Sequence, residues 1–425
     1  MIKNPREVYV IGSNRVPFAK SQTAYMDVTR NDLMCASLNG LVERFELQGQ
    51  TLSDVALGAV MNSSADWNLA RECVLDTKLN PETPAYNVQR ACGTSLETVW
   101  QLGLKIAAGQ ADIAIAGGVD TNSDLPIEVS EGLRKALLQA HTAKTFLDKL
   151  NPFLTLGPKA LIPKTAAVYE PRTKLSMGES CEIMVKEWKI SRQAQDELAL
   201  RSHKNAARAY EEGFFKDLVQ PFHGVSKDLT IRPDTTLEKL AKLKPAFDPV
   251  NGTITAGNSS PLTDGSACVL LASKEQADKN KWKPLARLVD FQAAAVDFVH
   301  GAGLLMAPTI AVAKLLARNQ MQFSDFAFIE IHEAFAGQVL CNQAAWNSAD
   351  YCKKVLSLSS PLGPIDQSRL NVHGSSIALG HPFAATGARI TGTLAKMLSG
   401  KKGRGLISIC TAGGMGVTAI LESVD

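Results

Sequence analysis

In QRACGTSLE, residues 89–97, a cysteine stands between small residues at the mouth of a helix. Cysteine is more often a buried, inert hydrophobe. At a helix start, though, unpaired N–H groups and the helix dipole stabilise a thiolate, so Cys92 suits a nucleophile. A second cysteine, Cys410, closes a strand-like run in SICTAGGMG (408–416), followed by small residues whose amides can point at a ligand. His381 lies between Gly380 and Pro382 in ALGHPFAATGAR (378–389), and His332 and Glu333 end another strand-like run in IHEAFAGQ (331–338). The last stretch is not HExxH, so no zinc motif is read there. Each residue alone has a plainer reading: structural cysteine, capped loop histidine, tight turn at a strand end. Together, at strand ends on both halves of the chain, they suit one interfacial site. Its chemistry would be a thiolate nucleophile, a histidine partner and a second thiol moving protons.

The elements that must position them alternate. EVYVIGS, DVALGAVM, DIAIAGGV, DFAFIEIH and GLISICTAGG read as strands, and DLMCASLNGLVERF, SLETVWQLGLKIAAG, QAQDELALRSHKNAARAYEEG and APTIAVAKLLARN as helices. Alternation of this kind predicts an α/β fold with mostly parallel, buried strands. A weak repeat runs through it. LSDVALGAVMN (52–62) echoes FSDFAFIEIHE (323–333). Each is followed by an Asn-Val pair (87–88 and 371–372), a helix, and a strand ending in AGG (116–118 and 412–414). Residues 121–247 break the scheme with helical pieces and Pro-rich connections, as a lid or loop domain would. The expected division is therefore 1–120 plus 248–275 as an N-terminal half, 121–247 as the insertion and 276–425 as a C-terminal half.

With 425 residues, a net charge of +3 and 45% hydrophobic residues, the chain is long enough for two or three well-buried domains and too evenly charged to favour nucleic acid. Eight cysteines without a CxxC pair point to a reducing compartment. The N-terminal stretch has no signal-peptide core, ILESVD is no peroxisomal address, and no apolar run would span a bilayer. A cytoplasmic, soluble protein is expected.

Over essentially its whole length the sequence resembles the thiolase family. RVPFAK, RACGTSLE, SMGES, LAKLKPAFDPVNGTITAGNSSPLTDGSA, HEAFAGQ, NVHGSSIALGHPFAATGAR and CTAGGMG carry the likeness. It implies two thiolase halves forming a five-layered αβαβα core with an inserted loop domain, in a homodimer or homotetramer. It implies 3-ketoacyl-CoA thiolysis, in which Cys92, activated through His381, takes the acyl group and Cys410 protonates the acetyl-CoA enolate. His381 and a water held by His332 would serve the enolate oxygen. The backbone amides of Cys92 and Ala412 would serve the acyl oxyanion. Coenzyme A would be a co-substrate, with no tightly bound cofactor. Ser260 would meet its pantetheine arm, Arg232 its adenine, and Met177 and Phe335 the thioester end. Plainer readings are a turn cap for Ser260, a solvated turn residue for Arg232, and core positions for Met177 and Phe335.

Two departures from the family pattern matter. His332 stands where many thiolases have Asn, and HEAF with HPFAATGAR looks like the thiolase subunits of fatty-acid β-oxidation trifunctional complexes. That raises a hydratase/dehydrogenase α subunit as a partner. Ala412 replaces a usual Gly, tolerable if its φ is negative. HGSS (373–376) also differs from the common pattern, and His373 has no assigned role. The alternatives are a biosynthetic acetoacetyl-CoA thiolase and a non-catalytic lipid or scaffold protein of the same fold. A decarboxylating ketoacyl synthase would lack the CTAGGMG motif. Residues 131–174 carry eight Lys/Arg against three Asp/Glu, interleaved with Leu and Phe. A lid packed on the core is expected there in preference to peripheral membrane contact.

Overall fold

Successive residues of a strand point to opposite faces, and here both faces are covered. In β1 (Val8–Arg15), Val8 and Val10 enter one core while Tyr9 and Ile11 enter another. The computed structural model, which describes residues 5–164 and 169–424, repeats this in β6 (Thr263–Ser273). There Ala267, Val269 and Leu271 face the first core, and Cys268, Leu270 and Ala272 the second. The other strands are β2 (Ala19–Lys20), β3 (Asp54–Leu57), β4 (Ala85–Asn87), β5 (Ile113–Asp120), β7 (Ala286–Ala295), β8 (Phe326–Ile331), β9 (Arg404–Thr411) and β10 (Met415–Glu422). They hydrogen-bond in the order β4-β3-β5-β6-β1-β7-β10-β9-β8, with β2 beside β6. Leu370 extends this order by a parallel bridge to Ile329 of β8. Leaving β2 aside, each half then runs third, second, fourth, fifth, first strand towards the β1–β7 junction. The repeat read from β3 and β8 is a duplication of the whole unit.

Helices α1 (Arg30–Arg44) and α2 (Leu69–Leu75) cover the outer face of the first half. Helix α9 (Lys274–Lys279) packs on β1 and β6 of the first half, whereas α10 (Ala307–Asn319), α11 (Ala336–Asn347) and α12 (Ala349–Lys354) belong to the second half, with α10 packed on β7 and β10. Between the two sets of strands lie α3 (Thr94–Ala107) and α14 (Thr386–Ser399), packed on each other and on strands of both halves. This is the αβαβα layering. The short α13 (Ser376–Leu379) precedes α14.

The expectation of mostly parallel strands is corrected. β3 is parallel to β4 and β5, and β8 to β9, whereas β1–β6, β1–β7, β5–β6, β7–β10 and β9–β10 are antiparallel. The last strand of each half returns against the one before it. β10 does so against β9 through the turn Ala412–Gly414, where Gly413 and Gly414 take φ of +75° and +67°. Strands apolar on both faces carry no trace of their direction. The AGG repeat is likewise only partial: residues 116–118 lie inside β5, not at its end.

Between β5 and β6 run α4 (Glu131–Thr142), α5 (Phe146–Leu154), α6 (Met177–Glu187), α7 (Arg192–Glu211) and α8 (Leu237–Ala241), with no strand among the described residues. In the basic segment 131–174, of which 165–168 lie outside the described residues, Glu170 is buried and accepts from the Gly413 N–H (2.7 Å), but α4 and α5 are not packed on the core. Helix α4 buries only Ala136 and α5 buries nothing. The two pack on each other, leaving Phe146 75%, Leu147 72% and Leu154 79% exposed. Among the described residues no helix is long and apolar enough to cross a membrane.

Candidate active site

From β4 the chain turns through Arg90–Cys92 into α3. The Arg90 N–H donates to Thr94 Oγ1 (2.8 Å), and the Thr94 hydroxyl donates to the Ala91 carbonyl (2.7 Å). These bonds hold Ala91 at φ +43°, a region that disfavours a Cβ. Gly93 caps α3, and a Cβ there would lie 2.7 Å from the Val417 side chain of β10. Cys92 is thus fixed at the helix mouth, close against the second half of the molecule.

His381 reaches it from that second half. Gly380 ends α13 at φ +98°, ψ 167°, a conformation essentially reserved for glycine. The His381 N–H then donates to Thr263 Oγ1 (2.7 Å). His381 Nε2 lies 3.2 Å from Cys92 Sγ, and Nδ1 lies 2.6 Å from Thr386 Oγ1 at the start of α14. For Nε2 to accept the thiol proton, Nδ1 must carry the ring hydrogen and donate it to Thr386. Gly380→Ala would bring a Cβ to 3.0 Å from Thr263 Cγ2 in a forbidden conformation. The expected cost is about 1–3 kcal/mol of stability, with activity falling as His381 shifts. An unchanged urea midpoint would show that the turn relaxes freely.

His332 follows β8, and its N–H donates to the Ser408 carbonyl (2.8 Å), two residues before Cys410. Its ring lies 4.1 Å from that of His381, centroid to centroid. One donor atom each from Cys92, His332 and His381 fall within 4.8 Å of one another. Three such donors could hold a soft metal ion. No metal is expected from the sequence.

Burial dominates the electrostatics. It pushes the Cys92 thiol up to about 12, opposed by the N–H groups of Ala412 and of Cys92 itself and aided by the charges of Asp120 and Glu170. Burial, then the Arg389 charge, pulls His381 down to about 3. His332 lies well below its ordinary range through burial, then His381 and Arg389. Burial, then Cys92, holds Cys410 well above the thiol range. The expectation of a thiolate stabilised by the helix mouth is therefore corrected: dehydration outweighs the two N–H groups there, and the resting pair is thiol and neutral imidazole. The amides of Ala412 and Cys92, the pair expected to receive an acyl oxyanion, are the groups that lower the Cys92 thiol against its burial. Ala412 stays out of the left-handed region, which its two glycine neighbours occupy.

Residues 8–275 match the thiolase N-terminal domain and residues 282–423 the thiolase C-terminal domain. The chain belongs to the thiolase family. It is 40% identical over 422 residues to a 3-ketoacyl-CoA thiolase of Shewanella sp. (strain W3-18-1), covering 98% of this chain and 96% of that one. Among solved structures, the Bacillus anthracis acetyl-CoA acetyltransferase superposes with a TM-score of 0.82 at 31% identity, over 99% of this chain and all of that one. Human mitochondrial 3-ketoacyl-CoA thiolase in complex with CoA gives 0.81 at 28% identity, over 99% and 98%.

In this thiolase, Met177 and Phe335 share an apolar cluster with Cys410, and Phe335 meets Phe247 edge to face at 5.9 Å. Ser260 is half-buried, and its N–H donates to the Ala334 carbonyl (2.9 Å), which pins it to the HEAF loop. Arg232 is exposed; its backbone N–H donates to His203 Nδ1 (3.2 Å), and no described hydrogen bond or ion pair ties its guanidinium to the site. His373 stacks on Phe214 at 3.7 Å between centroids, a packing role. Sequence reasoning missed several groups. Thr386 and Arg389 lie inside the quoted HPFAATGAR, and Ser376 inside HGSS, but their contacts come from folding. Asp120, at the end of β5, accepts from the N–H groups of Val60 (3.0 Å), Met61 (2.9 Å) and Ala384 (2.8 Å), clamping the His381 loop to the first half. Glu333 accepts from Ser202 Oγ and Asn371 Nδ2, both at 2.7 Å, and so braces the loop behind His332.

Proposed function

We propose that this thiolase cleaves 3-ketoacyl-CoA with coenzyme A in fatty-acid β-oxidation, giving acetyl-CoA and a shortened acyl-CoA. The observation that carries the reading is His381 Nε2 at 3.2 Å from Cys92 Sγ, with the Ala412 amide aimed at the same sulfur. The names of its relatives support the substrate class. The Cys92 sulfur attacks C3 as its proton passes to His381 Nε2. Charge develops on the C3 oxygen, between the Cys92 and Ala412 amides. Collapse restores the carbonyl and breaks C2–C3. The electron pair leaves as the acetyl-CoA enolate, which takes its proton from Cys410. CoA then gives its thiol proton to the Cys410 thiolate and attacks acyl-Cys92. Departing Cys92 recovers its proton from His381. Because thiol and imidazole both rest neutral, the first proton moves with the attack, and the low-dielectric site stores no charge beforehand.

Coenzyme A is the co-substrate, with Ser260 beside its pantetheine arm, Met177 and Phe335 at the thioester, and Arg232 towards the adenine. The N-terminal half comprises 1–120 and 248–275, the insertion 121–247 and the C-terminal half 276–425. The protein works in the cytoplasm as a homodimer or homotetramer, alone or with a hydratase/dehydrogenase α subunit. The exposed apolar side of α4 and α5 supports a contact there, with a partner subunit or a membrane surface. The test is kcat/KM for thiolysis across C4 to C16 3-ketoacyl-CoAs. Activity extending to long chains is expected. A profile confined to C4 would favour a biosynthetic acetoacetyl-CoA thiolase, and no thiolysis at any length would favour a non-catalytic protein.

A further inference from the structure

The ring of His332 is completely buried, and its two nitrogens have different surroundings. Nδ1 lies 2.7 Å from Ser376 Oγ. Nε2 is buried with no hydrogen-bond partner among the described residues. Ser376 Oγ in turn lies 2.6 Å from a terminal nitrogen of Arg389. A guanidinium only donates, so Ser376 must accept from Arg389. The serine keeps one proton of its own, fully buried, and among the described residues the acceptor within its reach is His332 Nδ1. An Nδ1 that accepts leaves the single hydrogen of a neutral imidazole on Nε2.

We infer that Ser376 and Arg389 are positioning residues that lock His332 in its Nε2–H tautomer and so make it a hydrogen-bond donor aimed at the acetyl-thioester oxygen as that oxygen becomes an enolate. This rests on the thiolase reading above. The two imidazoles, 4.1 Å apart, then sit in opposite tautomers. His381 carries its hydrogen on Nδ1, bonded to Thr386, and offers Nε2 to the thiol. His332 carries its hydrogen on Nε2 and offers it to substrate. An asparagine amide always has a donor to present; a histidine does so at Nε2 only when Nδ1 is held as an acceptor. That is the role of the serine. Arg389 sits 2% exposed; burial pulls its guanidinium down to about 10, opposed by the neighbouring carboxyls of Glu330 and Glu333. Its bond to Ser376 occupies a lone pair that would otherwise invite the Nδ1 hydrogen and the wrong tautomer.

The test separates two partial reactions and one spectrum. Exchange of the acetyl-CoA methyl protons with deuterated water passes through the enolate and needs the His332 donor. Exchange of the acetyl group between acetyl-CoA and labelled CoA passes through acetyl-Cys92 and does not. Ser376→Ala should slow the first by about 10-fold or more and leave the second at the wild-type rate. Equal loss in both, or no loss in the first, would overturn the assignment, because a merely structural serine would not discriminate. In wild-type protein with ¹⁵N-labelled histidine, His332 should show a protonated, pyrrole-like Nε2 and a pyridine-like Nδ1. The reverse would overturn it even if Ser376→Ala failed to fold. Wild-type protein with the expected spectrum but no thiolysis would count against the thiolase reading instead.

Discussion

Replacing Cys92 by serine is expected to lower thiolysis by about 10³-fold or more, with folding intact. The two side chains differ by one atom, so packing at the α3 mouth survives. What changes is the nucleophile. The pocket already resists charge strongly enough to push the thiol up to about 12. An alcohol starts several units higher and is the poorer nucleophile. His381, pulled down to about 3, is a weak base for it. Proton transfer must then run further uphill before the carbon–oxygen bond forms. Radiolabelled acetyl-CoA, followed by digestion and mapping, checks the assignment directly: label belongs on Cys92 in the wild type and nowhere in the variant. Label on Cys410 with none on Cys92 would reverse the two roles. Near-wild-type turnover by the serine variant would remove Cys92 from the reaction altogether.

How far the sequence reaches depends on what each signal encodes. The helix-mouth position of Cys92 follows from local order alone: a strand, small residues, then a helical period. The pairing of β3 with β8 as repeats was readable because both end ahead of an Asn-Val pair in the same order of elements. The direction of the strands was not. β1, β6, β9 and β10 are apolar on both faces, and such a pattern has no polarity, so β10 and its return from β9 went unread. The charge state of Cys92 was misjudged because helix dipole and desolvation oppose each other, and only the second depends on neighbours distant in sequence. Ser376, His332 and Arg389 stood in quoted motifs, yet nothing in their spacing says that one serine proton connects them. The exposure of α4 and α5 was hidden for the opposite reason. Their apolar residues look like core, and only the fold shows that no core lies beneath.

Changing Cys410 to serine should separate the two halves of the reaction. Cys410 is 1% exposed at the end of β9, its thiol held well above the usual range by burial and then by nearby Cys92, and packed in the cluster that holds Met177 and Phe335. A group so placed takes no part in forming acetyl-Cys92, which needs only the Cys92–His381 pair and the Cys92 and Ala412 amides. The variant should therefore still take the acetyl group from acetyl-CoA onto Cys92. Proton traffic at C2 of acetyl-CoA is different. It needs a side chain that gives and takes a proton there, and a hydroxyl is far harder to deprotonate than a thiol in the same dry cavity. Deuterium uptake at the acetyl methyl should fall by about 10²-fold or more, and thiolysis with it, since the leaving enolate would find no acid of suitable strength. Deuterium uptake at the wild-type rate would remove Cys410 from the proton path. Loss of acylation together with exchange would mean that the substitution has disturbed the β9–β10 turn, whose Ala412 amide faces the Cys92 sulfur, and not the acid at its start.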